Sequence, residues 1–123
     1  MVNPPRILIV DDETSVHQLV RSMLRRGEYE VQSFTDPVEA LKTARSYPPE
    51  LVVSDVLMPR MDGWEALPLI KRVSPATQVV VISALGADSE LNDRAVWLGA
   101  ATYLDKVEIM SMPAIVAAAC THN

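Results

Sequence analysis

The sequence is poor in cysteine, glycine and aromatic residues, and it has no long hydrophobic run. Its 123 residues include one cysteine and four glycines, so an internal disulfide and a collagen-like or low-complexity chain are excluded. The longest uncharged stretch, 109–121, is shorter than the ~20 residues that a membrane span needs. The first residues lack the basic and apolar pattern of a secretory signal. We therefore expect a cytoplasmic protein that does not cross a membrane.

Basic residues are also scarce relative to acidic ones. Sixteen Asp and Glu against eleven Lys and Arg give a formal net charge of −5, which argues against direct nucleic-acid binding and favours cations or basic partners. With 49% hydrophobic and 22% charged residues, the chain can bury a core, so intrinsic disorder is excluded. At roughly 100–200 residues per domain, we expect one domain over residues 1–123.

Short apolar runs rich in β-branched residues alternate with helical patterns along the chain. Five runs, each too short for a helix, predict strands. They lie at 6–10, 30–34, 51–54, 78–82 and 102–104. Apolar residues at helical spacing follow each run and predict five helices. Such alternation favours an α/β fold, with a doubly wound five-stranded parallel sheet that has helices on both faces.

Polar residues stand where the predicted strands end. Asp11 and Asp12 follow the first strand, Asp55 the third, Ser83 the fourth and Lys106 the fifth. Because the carboxyl ends of parallel strands share one edge of a sheet, we expect these side chains to meet there. Singly, the others have ordinary structural explanations, such as a helix dipole, a turn or a solvated charge, whereas a charged Asp55 directly on an apolar strand already favours function. Their convergence on one edge favours a functional site.

The residue types at this edge favour a divalent cation and a phosphoryl group. Three carboxylates packed together repel one another, and protons or a hard cation relieve that repulsion. Oxygen ligands without cysteine or histidine favour Mg²⁺ or Mn²⁺ over zinc or copper. The ammonium of Lys106 and the hydroxyl of Ser83 are donors that phosphoryl oxygens require. We therefore predict a pocket for a phosphoryl group.

Four motifs of the chain resemble the receiver domain of two-component response regulators, the chemotaxis regulators among them. They are ILIVDDE at 7–13, VVSDVLMPRMDG at 52–63, VISA at 81–84 and GAATYLDK at 99–106. The resemblance covers essentially the whole chain. It implies a flavodoxin-like sheet of strand order 2-1-3-4-5, an order that a chemotaxis regulator exemplifies and that spacing alone does not give.

The resemblance also implies roles for the acidic residues. Asp55 would accept a phosphoryl group from a histidine kinase or a phosphotransfer protein. Asp12, Asp55 and the backbone carbonyl of Leu57 would bind Mg²⁺ directly, and Asp11 would act mainly through water. The chain would then catalyse its own phosphoryl transfer and dephosphorylation, and would signal by binding rather than act as an enzyme on a separate substrate.

The remaining implied roles concern the response to phosphorylation. Lys106 would pair with the phosphoryl oxygens, Ser83 would move to bond one of them, and Tyr103 would swing inward into the vacated space. Val107 departs from the family pattern, because it stands where a proline usually follows the lysine, often with a cis bond. A cis bond before a non-proline residue costs about 2.5–4 kcal/mol, so we predict a trans peptide between Lys106 and Val107.

Two helices suggest a surface that binds a partner. The fifth predicted helix, 111–120, has no charged residue, and Trp97 lies off the apolar stripe of the fourth helix. We expect the fourth helix, the fifth strand and the fifth helix to form a homodimer or effector face that includes Trp97. An isolated exposed aromatic residue or a shortened chain explains the same pattern. His17, on the first helix, is expected at the surface.

Two other functions fit parts of the pattern. The first is an aspartyl-phosphate phosphatase of the dehalogenase type with Asp11 as its nucleophile, although Glu13 stands where that class would place an aspartate. The second is a pseudo-receiver, an interaction module that is not phosphorylated. Val107 weakly favours the pseudo-receiver, whereas the retention of all five polar residues argues against it.

Overall fold

The computed structural model describes residues 4–24, 28–56, 62–86 and 88–120, and every predicted strand and helix is present. The strands are β1 (Arg6–Val10), β2 (Glu30–Phe34), β3 (Leu51–Asp55), β4 (Gln78–Ser83) and β5 (Thr102–Asp105). The helices are α1 (Thr14–Met23), α2 (Pro37–Ser46), α3 (Gly63–Val73), α4 (Ser89–Trp97) and α5 (Met112–Cys120). A 3-10 helix, Lys106–Ser111, joins β5 to α5.

The strands form one parallel sheet of order β2-β1-β3-β4-β5, which confirms the predicted fold class and strand order. In its register, Val10 of β1 pairs with Phe34 on one side and with Ser54 on the other. Asp55 at the end of β3 pairs with Ile82 of β4. The carboxyl ends of the strands therefore lie at one edge, where the polar residues follow them.

Two apolar layers cover the sheet because successive strand side chains point to opposite faces. Leu8, Val10 and Val52 pack with α2, α3 and α4, whereas Ile7, Ile9 and Val53 pack with α1 and α5. Burial on both faces explains why β1 and β3 are continuous apolar runs. Among the described helices, none combines the length and apolar character that crossing a bilayer requires.

Aspartate side chains begin three of the helices. The side chain of Asp36 accepts a hydrogen bond from Val38 N at the start of α2, and Asp62 and Asp88 cap α3 and α4 in the same manner. Each cap satisfies a backbone N–H that the first helical turn leaves unpaired. Helix α1 differs, since its N-cap residue is Glu13 and the side chain makes no cap hydrogen bond.

Candidate functional site: an acidic cluster with one lysine

Four carboxylates meet at the carboxyl edge of the sheet. One oxygen from each lies within 4.8 Å of the others, and the residues are Asp11, Asp12, Glu13 and Asp55. Asp11 is fully buried and Asp55 is 3% exposed, whereas Asp12 and Glu13 are exposed. The neighbouring positions of β1 and β3 in the sheet produce this cluster, as the strand-end argument predicted. All its donor atoms are oxygens, the ligands that a hard divalent cation prefers.

Among the described residues, Lys106 is the cation that contacts this cluster. Its Nζ lies 2.7 Å from Glu13 Oε1, 3.1 Å from Asp11 Oδ2 and 3.1 Å from Asp55 Oδ2. Burial alone would lower the pKa of Lys106, but hydrogen bonds with Glu13, Asp55 and Asp11 outweigh burial and raise the pKa above its usual value. Lys106 is therefore charged at neutral pH. Its peptide bond to Val107 is trans, as predicted.

The two carboxylate oxygens of Asp11 have different partners. Oδ1 accepts a hydrogen bond of 2.9 Å from Glu13 N, whereas buried Oδ2 forms an ion pair with Lys106 Nζ at 3.1 Å. Burial raises the pKa of Asp11, the Glu13 amide opposes this effect, and the charge of Asp55 raises the pKa further. A buried carboxylate that is repelled by Asp55 and lies beside three more carboxylates fits a divalent cation.

Replacing Asp11 with asparagine is expected to stabilise the metal-free protein at pH 7 by about 1 kcal/mol, because burial and the charge of Asp55 disfavour the ionised carboxylate, while Lys106 keeps Glu13 and Asp55 as partners. Because the carboxyl pKa is raised on folding, the folded state binds more protons than the unfolded state at pH values between the two pKa values. The stability of the wild-type protein therefore falls as the pH rises through this range. Below the ordinary Asp pKa of 3.8, Asp11 is protonated in both states, and the free energies of unfolding of the two proteins should converge. Urea unfolding at pH 3 and pH 7 checks this, and an Asp11→Asn protein less stable than wild type at pH 7 would contradict it.

The other predicted site residues lie around this cluster. Ser83 is fully buried one residue beyond the β3–β4 pairing of Asp55 with Ile82, and its Oγ accepts from Leu85 N at 2.9 Å. The Tyr103 hydroxyl donates to Gly86 O at 2.9 Å. Leu57 lies outside the described residues. The structure thus brings Asp11, Asp12, Asp55 and Lys106 together, with Ser83 and Tyr103 on the β4–α4 side.

An aromatic stack that the sequence did not reveal holds Tyr103. The rings of Trp64 and Tyr103 are parallel within 3°, with centroids 6.5 Å apart. The guanidinium of Arg94 lies 4.5 Å from the centroid of Trp64. The stack joins α3, β5 and α4, and no sequence spacing connects three residues so far apart in the chain.

His17 corrects an expectation, because it is buried rather than at the surface. Its Nε2 lies 2.6 Å from Asp11 O, so the imidazole holds the backbone of the first acidic residue. Its Nδ1 is buried without a partner among the described residues. Val16, His17 and Val20 lie at helical spacing on the buried face of α1, and this periodicity would have indicated that His17 is buried.

Trp97 lies outside the acidic site. It is the last residue of α4 and is 87% exposed, and Val96 beside it is 53% exposed. Helix α5 buries Met112 and Val116, while its exposed positions, such as Pro113 and Ala118, carry no charge. The exposure of Trp97 agrees with its predicted position off the apolar stripe.

Comparisons with known proteins agree with this arrangement. The family model for the response regulator receiver domain matches residues 7–118. Chemotaxis protein CheY of Treponema pallidum is 38% identical over 106 residues, covering 84% of this chain and 73% of the relative. A protein-glutamate methylesterase/protein-glutamine glutaminase of Xanthomonas campestris is 40% identical over 111 residues, 86% of this chain, and the chain spans 30% of that relative.

A solved structure is similar throughout the fold. It is a response regulator protein from Burkholderia pseudomallei, with a phosphorylated aspartic acid, a calcium ion and citrate. The TM-score is 0.78 at 26% identity, over 95% of this chain and 67% of that one. Together with the family match over most of the sequence, this similarity leads to one conclusion: the chain belongs to the response regulator receiver domain family.

Proposed function

We propose that this chain is the phosphoacceptor of a two-component signalling system. It takes a phosphoryl group from a histidine kinase or a phosphotransfer protein onto Asp55, with Mg²⁺ or Mn²⁺, and then switches a partner-binding face. The observation that carries the proposal is the Asp55 carboxylate, 3% exposed, held 3.1 Å from Lys106 Nζ inside a cluster of four carboxylates. The phosphorylated aspartic acid of the Burkholderia structure supports the same chemistry.

Phosphoryl transfer requires alignment and charge neutralisation more than acid–base chemistry. An Asp55 oxygen forms a bond to phosphorus while the phosphorus–nitrogen bond of a phosphohistidine donor breaks, and the electron pair of that bond leaves with the nitrogen. Lys106 donates to a phosphoryl oxygen, and the Ser83 hydroxyl donates to another.

The cation would be held directly by the carboxylates of Asp12 and Asp55, with Asp11 acting mainly through water and the Leu57 carbonyl as a further ligand that the resemblance implies. When bound, Mg²⁺ neutralises charge on the phosphoryl oxygens. One carboxylate oxygen of each of these three aspartates lies within 4.8 Å of the others, which supports this ligand set. The negative net charge and the family relationship also favour a cytoplasmic protein that acts by binding proteins rather than nucleic acid.

Intact-mass spectrometry after incubation with acetyl phosphate and Mg²⁺ tests the proposal. We expect one phosphoryl adduct that EDTA prevents and that Asp55→Asn abolishes. No adduct on wild type would indicate a pseudo-receiver. Steady release of phosphate from added phosphoesters, dependent on Asp11 and not on Asp55, would indicate a phosphatase.

The switch would run through Ser83 and Tyr103, because added phosphoryl charge biases the segment between them. The ring of Tyr103 packs on Trp64, so its movement should change the emission of Trp64. In a Trp97→Phe protein, Trp64 is the remaining tryptophan. We expect acetyl phosphate with Mg²⁺ to shift this emission, and the additional change Tyr103→Ala to remove the shift. Unchanged emission from a fully phosphorylated protein would contradict the switch.

The partner-binding face would comprise α4, β5 and α5, with Trp97 as its anchor. Exposed tryptophans are frequent energetic centres of interfaces, and truncating one typically costs about 2 kcal/mol or more. We expect the phosphorylated protein to form a homodimer or bind an effector here, and Trp97→Ala to weaken homodimerisation about tenfold or more, as measured by analytical ultracentrifugation. Trp97→Phe is the matched control. A phosphorylated protein that stays monomeric at high concentration, with Trp97 freely solvated, would contradict the homodimer.

A further inference from the structure

Glu13 occupies a position that its side chain does not use in the usual way. It is the N-cap residue of α1, where Ser, Thr, Asp and Asn are preferred because a short side chain accepts from the first-turn amides. Among the described helices, α2, α3 and α4 use an aspartate for this purpose. The Glu13 side chain makes no cap hydrogen bond. It reaches instead to Lys106, 93 positions away in the chain.

The contact of Glu13 with Lys106 is the shortest that the ammonium makes within the cluster. Glu13 Oε1 lies 2.7 Å from Nζ, compared with 3.1 Å for Asp11 and 3.1 Å for Asp55. The Glu13 amide also donates to Asp11 Oδ1. One residue thus fixes both the ammonium and a buried carboxylate. Its side chain is 58% exposed, whereas that of Lys106 is 15% exposed, so Glu13 approaches the ammonium from the solvent side.

Among the described residues, the ammonium of Lys106 is held by the carboxylates of Glu13, Asp11 and Asp55. A lysine stem is long and flexible, and its compact charge is positioned by its partners. Val107, which follows, is 83% exposed and supplies no packing. Under the proposed function, Asp55 becomes bonded to phosphorus and Asp11 turns toward the cation, so both of these partners change during transfer. Of these three described partners, Glu13 is the one that remains.

We propose that Glu13 is a positioning residue, which holds the ammonium of Lys106 against the phosphoryl oxygens during transfer to Asp55. This inference rests on the proposed function. A capping role and a positioning role predict opposite effects of Glu13→Asp, because aspartate is the better N-cap but has a side chain one methylene shorter. The substitution also keeps the negative charge, so the total charge of the cluster is unchanged.

The test measures the phosphorylation rate with acetyl phosphate at saturating Mg²⁺. We expect Glu13→Asp to be at least as stable as wild type in urea unfolding, yet to be phosphorylated about tenfold more slowly. Glu13→Gln keeps the side-chain length and one acceptor oxygen, so its phosphorylation rate should lie between those of wild type and Glu13→Asp. In a Lys106→Met background, Glu13→Asp should have no further effect, because interacting residues are not additive.

Each other outcome overturns the inference. Wild-type and Glu13→Asp proteins phosphorylated at equal rates would show that Glu13 does not position Lys106. A weaker Mg²⁺ affinity in Glu13→Asp with an unchanged rate at saturating Mg²⁺ would make Glu13 a metal ligand instead. If Glu13→Asp still lowers the phosphorylation rate tenfold in the Lys106→Met background, Glu13 does not act through Lys106. Wild type that accepts no phosphoryl group would refute the proposed function itself.

Discussion

Replacing Gly63 with alanine is expected to lower the free energy of unfolding by about 3 kcal/mol or more, the upper range for overpacking a rigid site. A Cβ at this position would lie 2.4 Å from the carbonyl oxygen of Asp55 and 2.6 Å from Val56 Cα. Both atoms are backbone, and the Gly63 amide donates to Val56 O at 2.9 Å. The first turn of α3 therefore lies directly against the end of β3, and neither can move without disturbing Asp55.

Gly86→Ala is the matched control. A Cβ there meets nothing within 4 Å, but the φ of +96° is one that side chains rarely adopt, so the cost is backbone strain of about 1–2 kcal/mol. Urea unfolding of the two variants separates a steric clash from strain. A Gly63→Ala protein within 1 kcal/mol of wild type would show that α3 does not pack so closely on the Asp55 strand.

Replacing Lys106 with methionine is expected to change two properties in opposite directions. The phosphorylation rate with acetyl phosphate should fall by about 10²–10³, the usual loss when one donor to developing charge is removed. The affinity for Mg²⁺ should rise, because the ammonium contacts Asp11 and Asp55 and competes with the cation for them. Methionine fills similar space, so the variant removes the charge with little loss of packing.

Lys42→Met is the control for the change of side chain, since Lys42 is exposed on α2 and pairs with Glu39. We expect its phosphorylation rate and Mg²⁺ affinity to match those of wild type. Titration calorimetry gives the Mg²⁺ affinity, and intact mass against time gives the rate. A Lys106→Met protein with weakened Mg²⁺ binding, or with the wild-type rate, would contradict the role assigned to the ammonium.

The fold could be predicted because its strands are buried on both faces and are therefore visible as continuous apolar runs. β1 and β3 are of this kind, with every residue buried. β2 was the weaker pattern because it is an edge strand, and Glu30, Gln32 and Ser33 are exposed. The strand order itself came from the resemblance rather than from periodicity, since apolar runs do not specify which strands are neighbours.

The sequence could predict only those site residues that lie at or just after the carboxyl ends of the parallel strands. That rule brings Asp11, Asp55 and Lys106 together, and the structure agrees. The contact of Glu13 with Lys106 could not be predicted, because a residue beside a helix start gives no sign that its side chain points across the sheet. His17 was misplaced because one histidine on a helix was taken as polar surface, although its spacing to Val20 indicated the buried face.

The most direct test of the central claim is to locate the phosphoryl group in the chain. The protein is incubated with acetyl phosphate and Mg²⁺ and then reduced with sodium borohydride, which converts an aspartyl phosphate to a homoserine side chain, and the peptides are sequenced by mass spectrometry. We predict modification at Asp55, none when EDTA replaces Mg²⁺, and none in Asp55→Asn. Modification at Asp11 with Asp55 intact, or no modified carboxylate in the wild-type chain, would contradict the account.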